Sequence, residues 1–346
     1  MKTFRFSLVA LIATTLFTAC SDEAVVEQRS ITSEAQEISF RLQGGTPETR
    51  ATATTLDNVD AFAVYGIDDV EAVNIFSGVT VARQEDGTYD YNPKKYYSTG
   101  ASDAQFFAYS PVSEYANITG LPLSSASSYT GTNFEYEITL PDSTGGKTSQ
   151  VDLLVAGIGV PSITSSPVNL KFKHALSRIF VKATNGLSET VVITGLKLLQ
   201  LNTKGKITGT PNSSSPFEWT WAWSNQTLPE AHEYILAETG VAVRAKMGTP
   251  TLVTSKEQGM LVIPQSTTGD LGGTPNGKWD SGEFALEVTY DVANLIGEVA
   301  HVFFATPYTF APGKQYAITI DFAGTDLIEI NFTIDVTDFE NVIDVI

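Results

Sequence analysis

Cysteine, histidine and positive charge are all scarce in this chain, and each shortage narrows what the protein can be. Its 346 residues include one Cys and three His. This excludes an intrachain disulfide and a cysteine-based zinc site, and it leaves little room for a histidine-rich metal centre. Lys and Arg number 21 against 39 Asp and Glu, for a net charge of −18. Such a surface repels phosphate backbones, so we expect no nucleic-acid partner.

Long apolar runs are also missing, apart from a short one near the start. Residues 6–17 are apolar, follow Lys2 and Arg5, and are too few to span a bilayer as a mature helix. This pattern predicts a lipoprotein signal peptide over residues 1–19, cleaved before the lone cysteine, Cys20, which would then be acylated. The alternative is an ordinary secretory signal followed by an incidental cysteine.

Apolar and polar residues alternate along many short segments that turn residues separate, which is typical of β-strands. In the first of them, Ile38, Phe40 and Leu42 alternate with polar residues, so one face is expected to be buried. Strands are predicted at 37–42, 59–65, 104–109, 133–140, 151–159, 168–172, 178–184, 190–200, 217–223, 241–246, 259–263, 284–291, 299–305, 315–322 and 327–336. Helical periodicity is weak, and Pro161 and Pro167 mark a domain junction. The sequence therefore predicts an all-β fold of two antiparallel sandwiches, at 51–165 and 166–346.

Motifs that carry chemistry are absent from the sequence. It has no Gly-rich phosphate loop, HExxH helix or GxSxG elbow. His174, His232 and His301 lie far apart in sequence and are expected to be structural or surface residues. The acidic loop 270–283 lacks the ligand spacing of an EF-hand and is predicted to be a surface turn. We therefore expect no catalytic residue, no metal, no cofactor and no enzymatic activity.

One aromatic segment has two possible interpretations. Trp219, Trp221 and Trp223 continue an alternation that begins at Phe217, so a strand would place these rings on one face. If this stripe is exposed, it is a platform on which sugar rings could stack. If it is buried, it is part of a sandwich core.

Several segments, in this order, resemble the fimbrillin family, the type V pilins of Bacteroidales. After the lipoprotein signal and Thr49-Arg50-Ala51 come NVDAFAVYG, QFFAYSP, VDLLVAG, LKFKHALSRIFVKA, LVIPQ and PGKQYAITI. The resemblance covers nearly all of residues 20–340 and is most specific in LKFKHALSRIFVKA. It implies two tandem transthyretin-like β-sandwich domains. It also implies a lipidated precursor at the outer membrane surface. Ser21-Asp22-Glu23 resembles the export signal of surface lipoproteins, although it would also suit a solvated linker.

The resemblance further implies that an arginine-specific protease removes an N-terminal segment, here residues 20–50. Arg50 stands in the matching place, so the bond between Arg50 and Ala51 is the predicted cut, with Arg29 and Arg41 as competing sites. The segment carries the removable strand with Ile38, Phe40 and Leu42, and its loss would open an apolar groove.

A strand from another subunit would fill that groove by β-strand addition. The C-terminus offers a candidate donor in the alternating set Ile328, Ile330, Phe332, Ile334 and Val336. The alternative is that 327–336 is the last strand of its own domain. Other fimbrial subunits are thus the expected partners, and the protein would pass into a fimbrium after processing. Shaft, tip and anchor roles stay open. A surface lipoprotein or tip adhesin that binds glycan or host protein is the alternative function.

Overall fold

The computed structural model describes residues 36–42, 59–70, 74–112, 134–139, 152–160, 163, 167–202, 204–211, 219–225, 240–254, 259–267, 282–304, 307–323 and 329–338. Within these ranges the regular secondary structure consists of strands without any α-helix, so the all-β prediction is confirmed. Accordingly, no helix among these residues has the length and apolarity needed to cross a membrane.

The strands are numbered in chain order. They are β1 (Phe40–Leu42), β2 (Ala61–Asp68), β3 (Phe76–Arg83), β4 (Tyr89–Asp90), β5 (Ala104–Ser110), β6 (Phe134–Thr139), β7 (Leu154–Val160), β8 (Val168–Leu170), β9 (Lys173–His174), β10 (Ser177–Asn185) and β11 (Val191–Leu199). They continue with β12 (Lys204–Pro211), β13 (Trp219–Asn225), β14 (Val241–Val243), β15 (Met247–Leu252), β16 (Met260–Val262), β17 (Gln265–Ser266), β18 (Ala285–Val292), β19 (Leu295–Phe303), β20 (Thr309–Phe310), β21 (Lys314–Ala323) and β22 (Glu329–Asp338).

A six-stranded antiparallel sheet, in the order β4-β3-β2-β5-β7-β9, organises the first part of the chain. Its inner strand β5 is buried along its whole length. This is why its sequence is almost continuously apolar instead of alternating. One face of the sheet, including Phe62, Phe106 and Leu154, packs in a core with Ile38 and Phe40 from the first strand.

Glycine at position 66 lets this core close tightly. A Cβ built on Gly66 of β2 would lie 2.6 Å from Cδ1 of Phe106, closer than two carbons can approach. The bare backbone of β2 therefore makes room for the ring of Phe106, which in turn packs against Phe40.

The short strands β1 and β8 pair in parallel next to this sheet, although the sequence predicted antiparallel sandwiches. Val168, Leu170 and Phe172 pack in the same core as Phe40. They follow the predicted division between residues 165 and 166, and that division stays a prediction.

A second core lies between two further sheets. One has the order β15-β10-β21-β22 with β16 also paired to β10, and the other has the order β14-β11-β18-β19. Ile179 and Ile320 from the first sheet pack in one cluster with Leu196 and Val288 from the second. Two sheets that share one apolar core form a β-sandwich. Here too one pairing, β10 with β21, is parallel. β22 pairs only with β21 among the described strands and so forms an edge of its sheet.

Candidate functional site

The first strand is held on both of its edges by residues from much later in the chain. On one edge Phe40 pairs with Val168 and Leu42 with Leu170, and the amide of Val168 donates a 2.8 Å hydrogen bond to the carbonyl oxygen of Ser39. The opposite edge faces residues 95–97. The amide of Ile38 there donates to the carbonyl oxygen of Lys95 at 3.0 Å. Residues 36–42 thus lie between residues 95–97 and strand β8.

The apolar side chains of this strand belong to the core. Ile38 is 1% exposed and Phe40 is 5% exposed, whereas Leu42 is half-buried against the same cluster. The ring of Phe40 lies with its centroid between 5.3 and 6.1 Å from those of Phe62, Phe76, Tyr91 and Phe106. Three of these four contacts are edge-to-face, the arrangement that the ring quadrupole favours. The strand therefore fills an aromatic groove, which we call the Phe40 groove. It is lined by Phe62, Phe76, Tyr91, Phe106 and Leu170.

Polar contacts from residues 90–94 add to this packing. The hydroxyl of Tyr91 donates a 2.5 Å hydrogen bond to the carbonyl oxygen of Ile38. The ammonium of Lys94 lies 2.9 Å from Oε1 of Glu37 and 2.5 Å from Oδ1 of Asp90. Hydrogen bonds to these two carboxylates raise the pKa of Lys94, so its positive charge is secure at neutral pH. Lys94 thus contacts one acidic residue of the first strand and one of the remaining chain.

The C-terminal strand pairs with β21 of the same chain, and the last residues of the strand are largely exposed. β22 pairs with β21 from Glu329 opposite Ala323 to Asp338 opposite Lys314. Val336 is 47% exposed, and Ile334 is half-buried against the second core. Ile328 lies outside the described residues, as do the side chains of Ile330 and Phe332. The structure thus pairs the candidate donor with β21 of the same chain, and its transfer to another subunit stays a prediction.

A buried polar chain connects β22 to the interior. The amide of Gln315 donates a 3.2 Å hydrogen bond to the hydroxyl of Thr337, while its oxygen accepts two bonds from Arg178, at 3.1 and 2.6 Å. Burial lowers the pKa of Arg178 to about 10, against the opposing effect of Asp152, so the guanidinium stays charged at pH 7. The guanidinium also lies 5.1 Å from the ring centroid of Phe180. This network positions β21 and gives β22 a polar anchor.

His174 is a buried structural residue, as the sequence led us to expect. Its Nδ1 lies 2.5 Å from Oδ2 of Asp152, and both side chains are less than a tenth exposed. His301 lies 3.1 Å from Glu287, and both side chains are half-buried. Among the described residues, no three His, Cys, Asp or Glu side chains are grouped so that they could hold a metal ion. His232 and residues 270–281 of the acidic loop fall outside these residues, while Glu283 at the end of that loop is buried.

Several sites that the sequence singled out fall outside the described part of the chain. These are Cys20, Arg50 and Ala51. Trp219, Trp221 and Trp223 lie on β13, where they pair in register with Pro211, Gly209 and Ile207, but their side chains are outside the described part too. Sequence reasoning missed Glu37, Tyr91 and Lys94. Of these three, Glu37 could have been identified from the local sequence, because it occupies an outward-facing position of the predicted strand.

Comparisons with known proteins agree with this architecture. A family model described as fimbrillin-like matches residues 49–336. A crystal structure of a fimbrial protein from Bacteroides vulgatus aligns with a TM-score of 0.58 and 14% identity, over 88% of this chain and 99% of that one. The tip fimbrial protein Mfa3 from Porphyromonas gingivalis, with C-terminal truncation, aligns with a TM-score of 0.39 and 13% identity, over 80% and 93%. No curated protein matches the chain.

Proposed function

The chain belongs to the fimbrillin-like family, and we propose that it is a subunit of a surface fimbria that is trimmed after Arg50 and assembled by β-strand exchange. One observation carries this proposal. Ile38 and Phe40 precede Arg50 by twelve and ten residues, yet they are buried in a groove formed by later parts of the chain. A cut after Arg50 would therefore separate a core strand from the domain that it completes.

Export as a lipoprotein would bring the precursor to the cell surface, where fimbriae assemble. Cleavage before Cys20 and acylation of its thiol and amine would anchor the chain, since each buried methylene contributes about 0.8 kcal/mol. The proposed site is the outer surface of the outer membrane. Trimming after Arg50 would then free the subunit from its lipid and leave it available to a growing fimbrium.

The energetics of the empty groove favour a replacement strand. Full burial of a side chain such as Ile38 or Phe40 stabilises by about 1.5–3 kcal/mol. Each ladder hydrogen bond adds roughly 0.5–1.5 kcal/mol. While residues 36–42 are covalently attached, their high effective concentration prevents a strand from another subunit from entering the groove. The precursor is therefore expected to stay monomeric. After the cut that advantage is lost, because the released strand can diffuse away.

The C-terminal strand is the proposed donor. It has the apolar alternation that a strand needs to fill a one-sided groove, and it lies at a sheet edge. Donation from each subunit to the next is a head-to-tail contact that does not close on itself, so it produces a fibre.

Electron microscopy of purified full-length protein before and after arginine-specific proteolysis tests the proposal. We expect monomers before digestion and filaments after it. Arg50→Ala should block both trimming and filament formation. Deletion of residues 327–346 should leave trimming intact and stop elongation, provided that circular dichroism shows the variant to be folded. Trimming that persists in Arg50→Ala would exclude the proposed cut, and filaments from a folded deletion variant would exclude the donor.

A second candidate is a tip adhesin or surface lipoprotein that binds glycan or host protein. The alternation of Trp219, Trp221 and Trp223 on β13 supports it, since β13 pairs only with β12 among the described strands. Such a subunit would keep the acceptor groove but would need no donor strand.

A further inference from the structure

The first strand and the C-terminal strand share a sequence pattern. Residues 37–42 read EISFRL, and residues 329–334 read EINFTI. Both have an acidic residue, isoleucine, a polar residue, phenylalanine, a polar residue and an aliphatic residue. Between residues 324 and 346 no other window of six residues follows this order.

We propose that the β22 strand of a second copy of the chain enters the Phe40 groove in the register that puts Glu329 where Glu37 lies. This inference rests on the strand exchange proposed above and specifies its partner and alignment. Ile330 then takes the place of Ile38, Phe332 that of Phe40, and Ile334 that of Leu42.

The aromatic lining of the groove favours this register. The site of Phe40 is surrounded by four aromatic rings, so a smaller side chain would leave an unfilled cavity there. A slip by two residues toward the C-terminus would place Ile334 at this site and put Phe332 where Ile38 lies. Of these two registers, the proposed one keeps a phenyl ring among the four aromatic neighbours.

The charge at the rim of the groove favours the same register. Lys94 and Lys95 lie beside one edge of the first strand, and Lys171 and Lys173 come just after β8 at its other edge. The chain as a whole is strongly acidic. Loss of residues 20–50 removes Glu37 from Lys94. Glu329 restores a carboxylate at that position. Because the side chains of Lys94 and Glu37 are 41% and 44% exposed, this ion pair selects the register more than it strengthens binding.

Disulfide trapping tests the register directly, because the trimmed chain lacks the sole native cysteine, Cys20. Arg41 pairs with Asn169, and Thr333 is the residue proposed to replace Arg41. Asn169 and Thr333 are both exposed, so cysteine at either position should leave the fold intact. Paired Cα atoms in adjacent strands lie within reach of a disulfide. Arg41→Cys with Asn169→Cys, in an untrimmed Cys20→Ser chain, is the positive control for geometry.

After trimming and mild oxidation, Thr333→Cys with Asn169→Cys should give a ladder of covalent oligomers on non-reducing gels. Asp335→Cys with Asn169→Cys moves the thiol two residues along the same face of the strand. This pair should give few covalent oligomers. If the ladder comes from the Asp335 pair, the register is wrong while strand exchange stands. If filaments form but neither pair is trapped, the choice of β22 residues 329–334 is wrong. If the unsubstituted trimmed chain forms no filaments, the proposed function itself fails.

Discussion

The hydroxyl of Tyr91 is hydrogen-bonded to the carbonyl oxygen of Ile38 at 2.5 Å, across the boundary between the segment predicted to be removed and the domain that remains. Tyr91 is 5% exposed, and Phe40 covers its ring. Its environment therefore reports whether the groove is full.

Titration of Tyr91 should follow the state of the groove. Burial raises the pKa of Tyr91 to about 12, so the stability that its neutral form contributes is present below about pH 10 and is lost as the pH rises through 12. Once residues 36–42 have dissociated, the pKa should fall toward its ordinary value, and in filaments it should rise again. Carbon NMR of labelled tyrosine rings would measure this. Burial also raises the pKa of Tyr109 to about 12, and this value should stay unchanged as the internal control.

Phe40→Ala should destabilise the untrimmed protein by about 3–5 kcal/mol, because it leaves a cavity among four aromatic rings. Denaturant unfolding would measure the change, with Ser39→Ala as a matched control on the same strand. A loss below about 1 kcal/mol in Phe40→Ala would mean that the strand contributes little to its domain.

Glu329→Lys should slow filament elongation, because it would bring a second cation to Lys94 in the proposed register. Light scattering after trimming would give the rate. Asp335→Lys makes the same charge change in the same strand and should have a smaller effect. Lys94→Glu combined with Glu329→Lys should recover part of the rate. A combined variant slower than both single variants would contradict contact between these two residues.

Cys20→Ala should abolish incorporation of a fatty-acid analogue and release the protein from membranes. The physical reason is the loss of the only thiol in the chain. Metabolic labelling followed by membrane fractionation would show it. Cys20→Ala protein that still takes up label at the normal level would contradict the lipoprotein prediction.

Trp221→Ala distinguishes the two interpretations of the aromatic stripe. If the stripe is core, the variant should lose about 3–5 kcal/mol of unfolding free energy. If it is a sugar platform, stability should be almost unchanged and binding to a glycan array should be lost. Thermal unfolding and array binding on the same preparation would decide between a structural subunit and an adhesin.

Alternation predicted many of the individual strands, but β3 and β15 were missed and the pairing of strands could not be predicted. The predicted segments 190–200 and 315–322 correspond to β11, Val191–Leu199, and β21, Lys314–Ala323. The parallel pairings of β1 with β8 and of β10 with β21 were not predicted, because parallel partners are joined by long connections that leave no local pattern. β12 was missed as well, since its sequence KGKITGTP has no sustained apolar alternation.

The residues of the candidate site also differ in how far the sequence could predict them. Ile38, Phe40 and Leu42 could be identified from their own spacing, as one face of a strand. Tyr91 and Lys94 could not, because their role comes from where the fold brings residues 90–97, far from the first strand in sequence. The pairing of Arg178 with Gln315 was equally hidden, since it depends on two strands meeting in parallel.

The position of β21 between β10 and β22 has a consequence for filaments. If β22 is donated, the outer backbone groups of β21 lose their ladder, and an edge of ten residues becomes open in every subunit. Exposed edges of this kind can pair with other chains. Neighbouring filaments would thus carry matching rows of edges along which they could bundle. The excess of acidic residues opposes such contact at low ionic strength, so we expect bundling to increase as salt screens the repulsion.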